Sequence, residues 1–179
     1  MVEGARARLW LFRSAYVVIA LVLVLARLLP LGQAPGAWPG PDVLLCFTLA
    51  WMLRRPDYMA PWLIALVVLA EDLLLMRPPG LWTAVVVLAT EFLRSRTAFT
   101  RELTFPAEWV LMSGTMIAAA LAYRFAFGIA FLPQPPFGFA MMQVVASILC
   151  YPFVVWISVM VLKLHKPATG EVDAYGRRM

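Results

Sequence analysis

Charged side chains are scarce in this sequence: Asp, Glu, Lys and Arg make up only 14% of the 179 residues. A soluble domain of this length needs a polar exterior, and a chain that is 63% hydrophobic cannot furnish one. Histidine is nearly missing. The single one, His165, lies in the tail beyond the last apolar run, so the apolar body has no imidazole for a metal or for general-base chemistry. There are two cysteines, Cys46 and Cys150, both inside apolar runs, where they read as small hydrophobes rather than as a disulfide. No HExxH, GxSxG, phosphate-binding glycine loop or CxxC is present. These absences argue against a soluble protein, a disulfide scaffold and the motif-bearing enzymes. The sequence predicts a non-catalytic protein with no cofactor and no metal.

What is present is a succession of long apolar runs separated by short loops rich in Pro, Gly and Arg, the pattern of an all-α polytopic membrane protein. Six spans are expected in one bundle forming a single domain, at about 10–31, 38–53, 59–76, 80–93, 105–132 and 137–164, with a cytoplasmic tail over 165–179. The first run is long for the core of a cleaved leader and the segment after it is proline-rich, which favours a retained span. The second is the shortest. From Val43 to Leu53 alone it suggests a re-entrant or protein-buried segment, and from Trp38 it could cross a thinned bilayer.

Basic residues choose between these readings. If the second run crosses and the amino terminus is cytoplasmic, twelve cations fall inside: Arg6, Arg8 and Arg13, Arg54 and Arg55, Arg94, Arg96 and Arg101, and Lys163, Lys166, Arg177 and Arg178. Only Arg27, Arg77 and Arg124 fall outside. A re-entrant second run would erase that asymmetry, so both termini are expected in the cytoplasm. The net charge of +5 then reports topology rather than nucleic-acid binding.

Acidic residues inside apolar runs carry the functional expectation. Glu71, Asp72 and Glu91 lie in a hairpin folded at Arg77-Pro78-Pro79-Gly80. A carboxylate at membrane depth costs about 2.5–3.5 kcal/mol on insertion scales and calls for a partner, a proton or a water-lined site. Glu91 lies three residues before Arg94, an ordinary i,i+3 pair. Asp72 falls in the same outer layer as the three exceptional arginines, and an ion pair with Arg124 or Arg27 from another helix is the economical expectation. Arg77, five residues on, points off the face of Asp72. A second signal is the ladder Gly114, Ala118, Ala122 and Ala126 in the fifth run. Such a stripe admits close helix approach, and an internal packing seam is expected in preference to a partner surface.

The run from Ala50 to Arg96 resembles the MreD family of rod shape-determining membrane proteins. A short second segment ends in Arg54-Arg55-Pro56, the third ends in Glu71-Asp72-Leu73-Leu74, and Pro79-Gly80 opens the fourth. Asp72 and Gly80 match that family's pattern, while Ala70 and Met76 stand where it often has glycine. The resemblance implies a multi-pass protein of the bacterial inner membrane that scaffolds or regulates the cell-elongation complex for peptidoglycan synthesis. It implies MreC as direct partner and, through it, RodA, a class B penicillin-binding transpeptidase and MreB. A different class remains open beside it: a small-molecule-binding subunit of a vitamin-uptake transporter, with Asp72 and the outer arginines lining a ligand pocket.

Overall fold

The computed structural model describes residues 2–29, 39–131, 133–134 and 136–162. The expected tail with its three cations, Lys163 just before it, and residues 32–38 of the proline-rich loop lie outside the described residues. The described chain is all helical. Its seven helices are α1 (Val2–Leu28), α2 (Val43–Arg54), α3 (Pro61–Leu74), α4 (Leu81–Ser95), α5 (Thr97–Arg101), α6 (Phe105–Ile129) and α7 (Phe137–Leu162). The six expected spans correspond to all of these except α5, a five-residue turn in the basic loop.

Among the described residues, only α1 (over Arg6–Leu28), α6 and α7 are long and apolar enough to cross a membrane by themselves. The second and third segments are shorter than expected from sequence, with 12 and 14 helical residues, and the fourth keeps about its expected length with 15, so the three span about 18–22 Å at the helical rise. Local chemistry sets these ends. α2 starts at Val43: Pro41 disfavours helical backbone in the residue before it, and Asp42 caps the helix by accepting a hydrogen bond from the Leu45 amide at 3.1 Å. α3 begins at Pro61, whose missing N–H costs nothing at a first helical position. α7 passes through Pro152 without interruption.

α2 is the axis of the bundle. Every residue from Leu44 to Arg54 is buried, and α1, α4 and α7 pack on it. Around that axis α1 meets α3, α3 meets α4 as a hairpin, α4 meets α6, and α6 meets α7. Aromatic rings lock α1 to α2: Tyr16 stacks on Phe47 at 5.8 Å, and its hydroxyl lies 2.9 Å from Thr48 Oγ1. The outside is apolar, with Leu11 and Val18 of α1, Phe125 of α6 and Phe153 and Trp156 of α7 all exposed. The inside holds Arg54, Glu71, Asp72 and Glu108, each at 5% exposure or less. An apolar exterior over a partly charged interior suits a protein surrounded by lipid.

Candidate functional site

The buried charges gather in two layers, one at each end of α2. At the end carrying the α3–α4 and α6–α7 turns stand Arg27, Asp42, Glu71, Asp72, Arg77 and Arg124. Arg27 Nη1 donates to Glu71 Oε1 at 2.6 Å and lies 3.4 Å from Asp42 Oδ1. Arg77 approaches the same glutamate oxygen only to 3.7 Å. Asp42 joins α7 as well, because its amide donates to Ser147 Oγ at 2.7 Å.

Asp72 does not form the expected ion pair. Among the described residues no arginine reaches it. Its Oδ2 accepts from the Gly80 amide at 3.2 Å, the Thr83 amide at 3.2 Å and Thr83 Oγ1 at 2.9 Å. It therefore caps α4 from the preceding helix, where free amides and the positive end of the helix dipole serve in place of a cation. Its Oδ1 is buried without a partner. Arg27 turns instead to Glu71, one residue earlier and therefore about 100° around α3. Arg124 lies over the Phe137 ring at 5.3 Å. Sequence reasoning thus named the right layer and the wrong carboxylate.

The opposite layer closes the carboxyl end of α2. Glu108 Oε1 accepts from Arg54 Nη1 and from the Tyr151 hydroxyl, both at 2.9 Å, so one oxygen joins α2, α6 and α7. Nearby, Arg94 donates to Glu91 Oε1 at 2.9 Å, as the i,i+3 spacing predicts, to the Pro56 carbonyl at 2.9 Å and to the Met59 carbonyl. Arg13 reaches the Tyr58 carbonyl at 3.2 Å. Sequence reading missed Asp42 and Glu108. The signal for Glu108 was there: a lone carboxylate in the first turn of a long apolar helix, opposite a buried Arg54.

The ladder Gly114, Ala118, Ala122 and Ala126 is not an internal seam. Its first three members are exposed and Ala126 is half-buried, while α6 turns Met112, Thr115, Met116, Ala119 and Phe127 inward. A Cβ built on Gly114 would meet nothing within 4 Å. The bulkier side chains won the inner face because they fill the bundle, leaving the small stripe outside.

Between α2, α4, α6 and α7, at the same end as Arg27 and Glu71, lies a cavity of about 460 Å³. Arg77, Arg124, Gln134 and Gln143 lend it polarity, and Leu45, Met116 and Phe127 are among its apolar walls. No protein-family model, curated protein or solved structure matches the chain.

Proposed function

We propose that the protein is a non-catalytic scaffold or regulator embedded by six spans in the bacterial inner membrane, both termini cytoplasmic, where it supports the peptidoglycan-synthesising elongation complex by holding a partner's transmembrane helix. The observation that carries this reading is the outward small-residue stripe of α6, exposed from Gly114 to Ala122 among the described residues. Helices in lipid associate through close backbone approach, and such a stripe offers it. The buried carboxylates accord with the same role, since Glu71, Asp72 and Glu108 are engaged in joining helices. The resemblance of residues 50–96 to MreD makes MreC the expected partner.

Ala118→Leu tests the reading. The side chain is exposed, so the isolated protein should unfold at the wild-type temperature in detergent while its copurification with MreC fails. Unchanged copurification would remove the stripe as the docking face, and loss of stability would show that it packs internally. The small-molecule-binding alternative has an observation of its own, the cavity.

A further inference from the structure

The cavity follows from the brevity of α2. That helix covers 12 residues, about 18 Å, whereas α6 and α7 cover 25 and 26 residues, about 38 Å. Long helices around a short one leave space beyond its end. The space lies at the amino-terminal end of α2, where Asp42 and Leu45 contribute to its wall. Its volume of about 460 Å³ falls within the ~300–1,000 Å³ range of ligand sites.

The lining is divided in chemistry. Leu45, Met116, Ala120 and Val144 present hydrocarbon. Arg77, Tyr123 and Gln143 line it too, each with side-chain donors that make no hydrogen bond among the described residues. The Arg77 guanidinium makes no hydrogen bond among the described residues, and its one charge contact is the 3.7 Å approach to a glutamate oxygen already held by Arg27 at 2.6 Å. The Tyr123 hydroxyl and the Gln143 side-chain amide likewise make no hydrogen bond among the described residues. The acidic group in the wall is satisfied, since Asp42 caps α2 and stands beside Arg27. What remains on offer is a guanidinium with neutral donors above an apolar chamber.

We propose that this cavity binds an anionic membrane lipid, its phosphate held by Arg77 with Tyr123 and Gln143, and part of one acyl chain lying against Leu45, Met116 and Val144. A guanidinium matches phosphate oxygens in charge and geometry, and neutral donors complete the shell. The source is the membrane because Arg77 lies in the turn closing the α3–α4 hairpin, at the helix ends where headgroups sit, beneath an apolar exterior. The proposal requires that the chain lie in a membrane and is independent of any scaffold role.

The test uses the full chain in neutral maltoside micelles, titrated with phosphatidylglycerol or phosphatidylcholine brominated on the acyl chains, with tryptophan fluorescence as readout. Trp82 lines the cavity. Phosphatidylglycerol should quench saturably and at lower concentration than phosphatidylcholine, and Trp82→Phe should remove the saturable component. Arg77→Gln should weaken the apparent affinity by about tenfold or more, the loss expected for a charge-assisted hydrogen bond. Ala120→Phe fills the chamber without altering charge and should abolish the saturable component while thermal unfolding of the lipid-free protein is retained. Equal quenching by the two lipids in the wild-type protein would overturn the proposal, whatever the variants do. Soluble glycerol 3-phosphate binding as tightly as the lipid would overturn it too, because the apolar chamber would then contribute nothing.

Discussion

Glu71 and Asp72 are neighbours in sequence with separate tasks. Glu71 joins α3 to α1 through Arg27, and Asp72 caps α4 through the Gly80 and Thr83 amides. Glu108 differs from both, since one of its oxygens is shared by Arg54 and Tyr151 in a fully covered position. These settings predict an order of cost. Asp72→Ala removes a cap and should cost about 1–2 kcal/mol. Glu108→Ala strands the Arg54 guanidinium in the interior and should cost about 3–5 kcal/mol. Replacing Arg54 and Glu108 together by Met and Leu should recover most of that loss, because the penalty lies in the unpaired charge. Thermal unfolding in detergent measures all three, and a double variant no better than Glu108→Ala would contradict the assignment.

At the scale of elements, the α3–α4 turn is the most tightly specified connection. The Arg77 amide donates to the Asp72 carbonyl at 2.9 Å, wrapping the end of α3 around Met76, which has φ +53°. That is the left-handed position where helices commonly end on glycine, and here a 93%-exposed methionine occupies it. Met76→Gly relieves the Cβ conflict and loses no core contact, so it should stabilise the protein by about 1 kcal/mol. A lower unfolding temperature for Met76→Gly would show that Met76 makes a contact worth more than its strain. Gly80, at φ +86°, cannot be exchanged on the same terms, because a side chain there would be strained. α2 shows the complementary rule. Its length answers to the helices packed on it rather than to bilayer thickness, because it is buried from Leu44 to its end.

For the whole molecule, the described arginines separate by end: Arg13, Arg54 and Arg94 near the start of α3, Arg27, Arg77 and Arg124 at the opposite turns. With the positive-inside rule this predicts a cytoplasmic α5 and an external α6–α7 turn. In a background with Cys46 and Cys150 replaced by alanine, a cysteine at Gln134 should react with an impermeant maleimide applied to intact cells, and one at Thr97 only after lysis. Reaction at Thr97 in intact cells would discard the six-span topology.

The sequence by itself determined the helical class, an exterior fit for lipid, the hairpin over 63–96 and the Glu91–Arg94 pair. Each rests on composition or on spacing within one helix, which the 3.6-residue period converts directly into geometry. Tertiary structure decided the rest. Whether Glu71 or Asp72 meets Arg27, whether the stripe from Gly114 to Ala126 faces inward, and whether a cavity opens at the end of α2 all depend on how each helix is rotated and offset against its neighbours. That rotation is set by the joint packing of side chains from several segments, such as Phe47 and Trp51 of α2 against Tyr16 of α1. Spacing within one helix does not contain it.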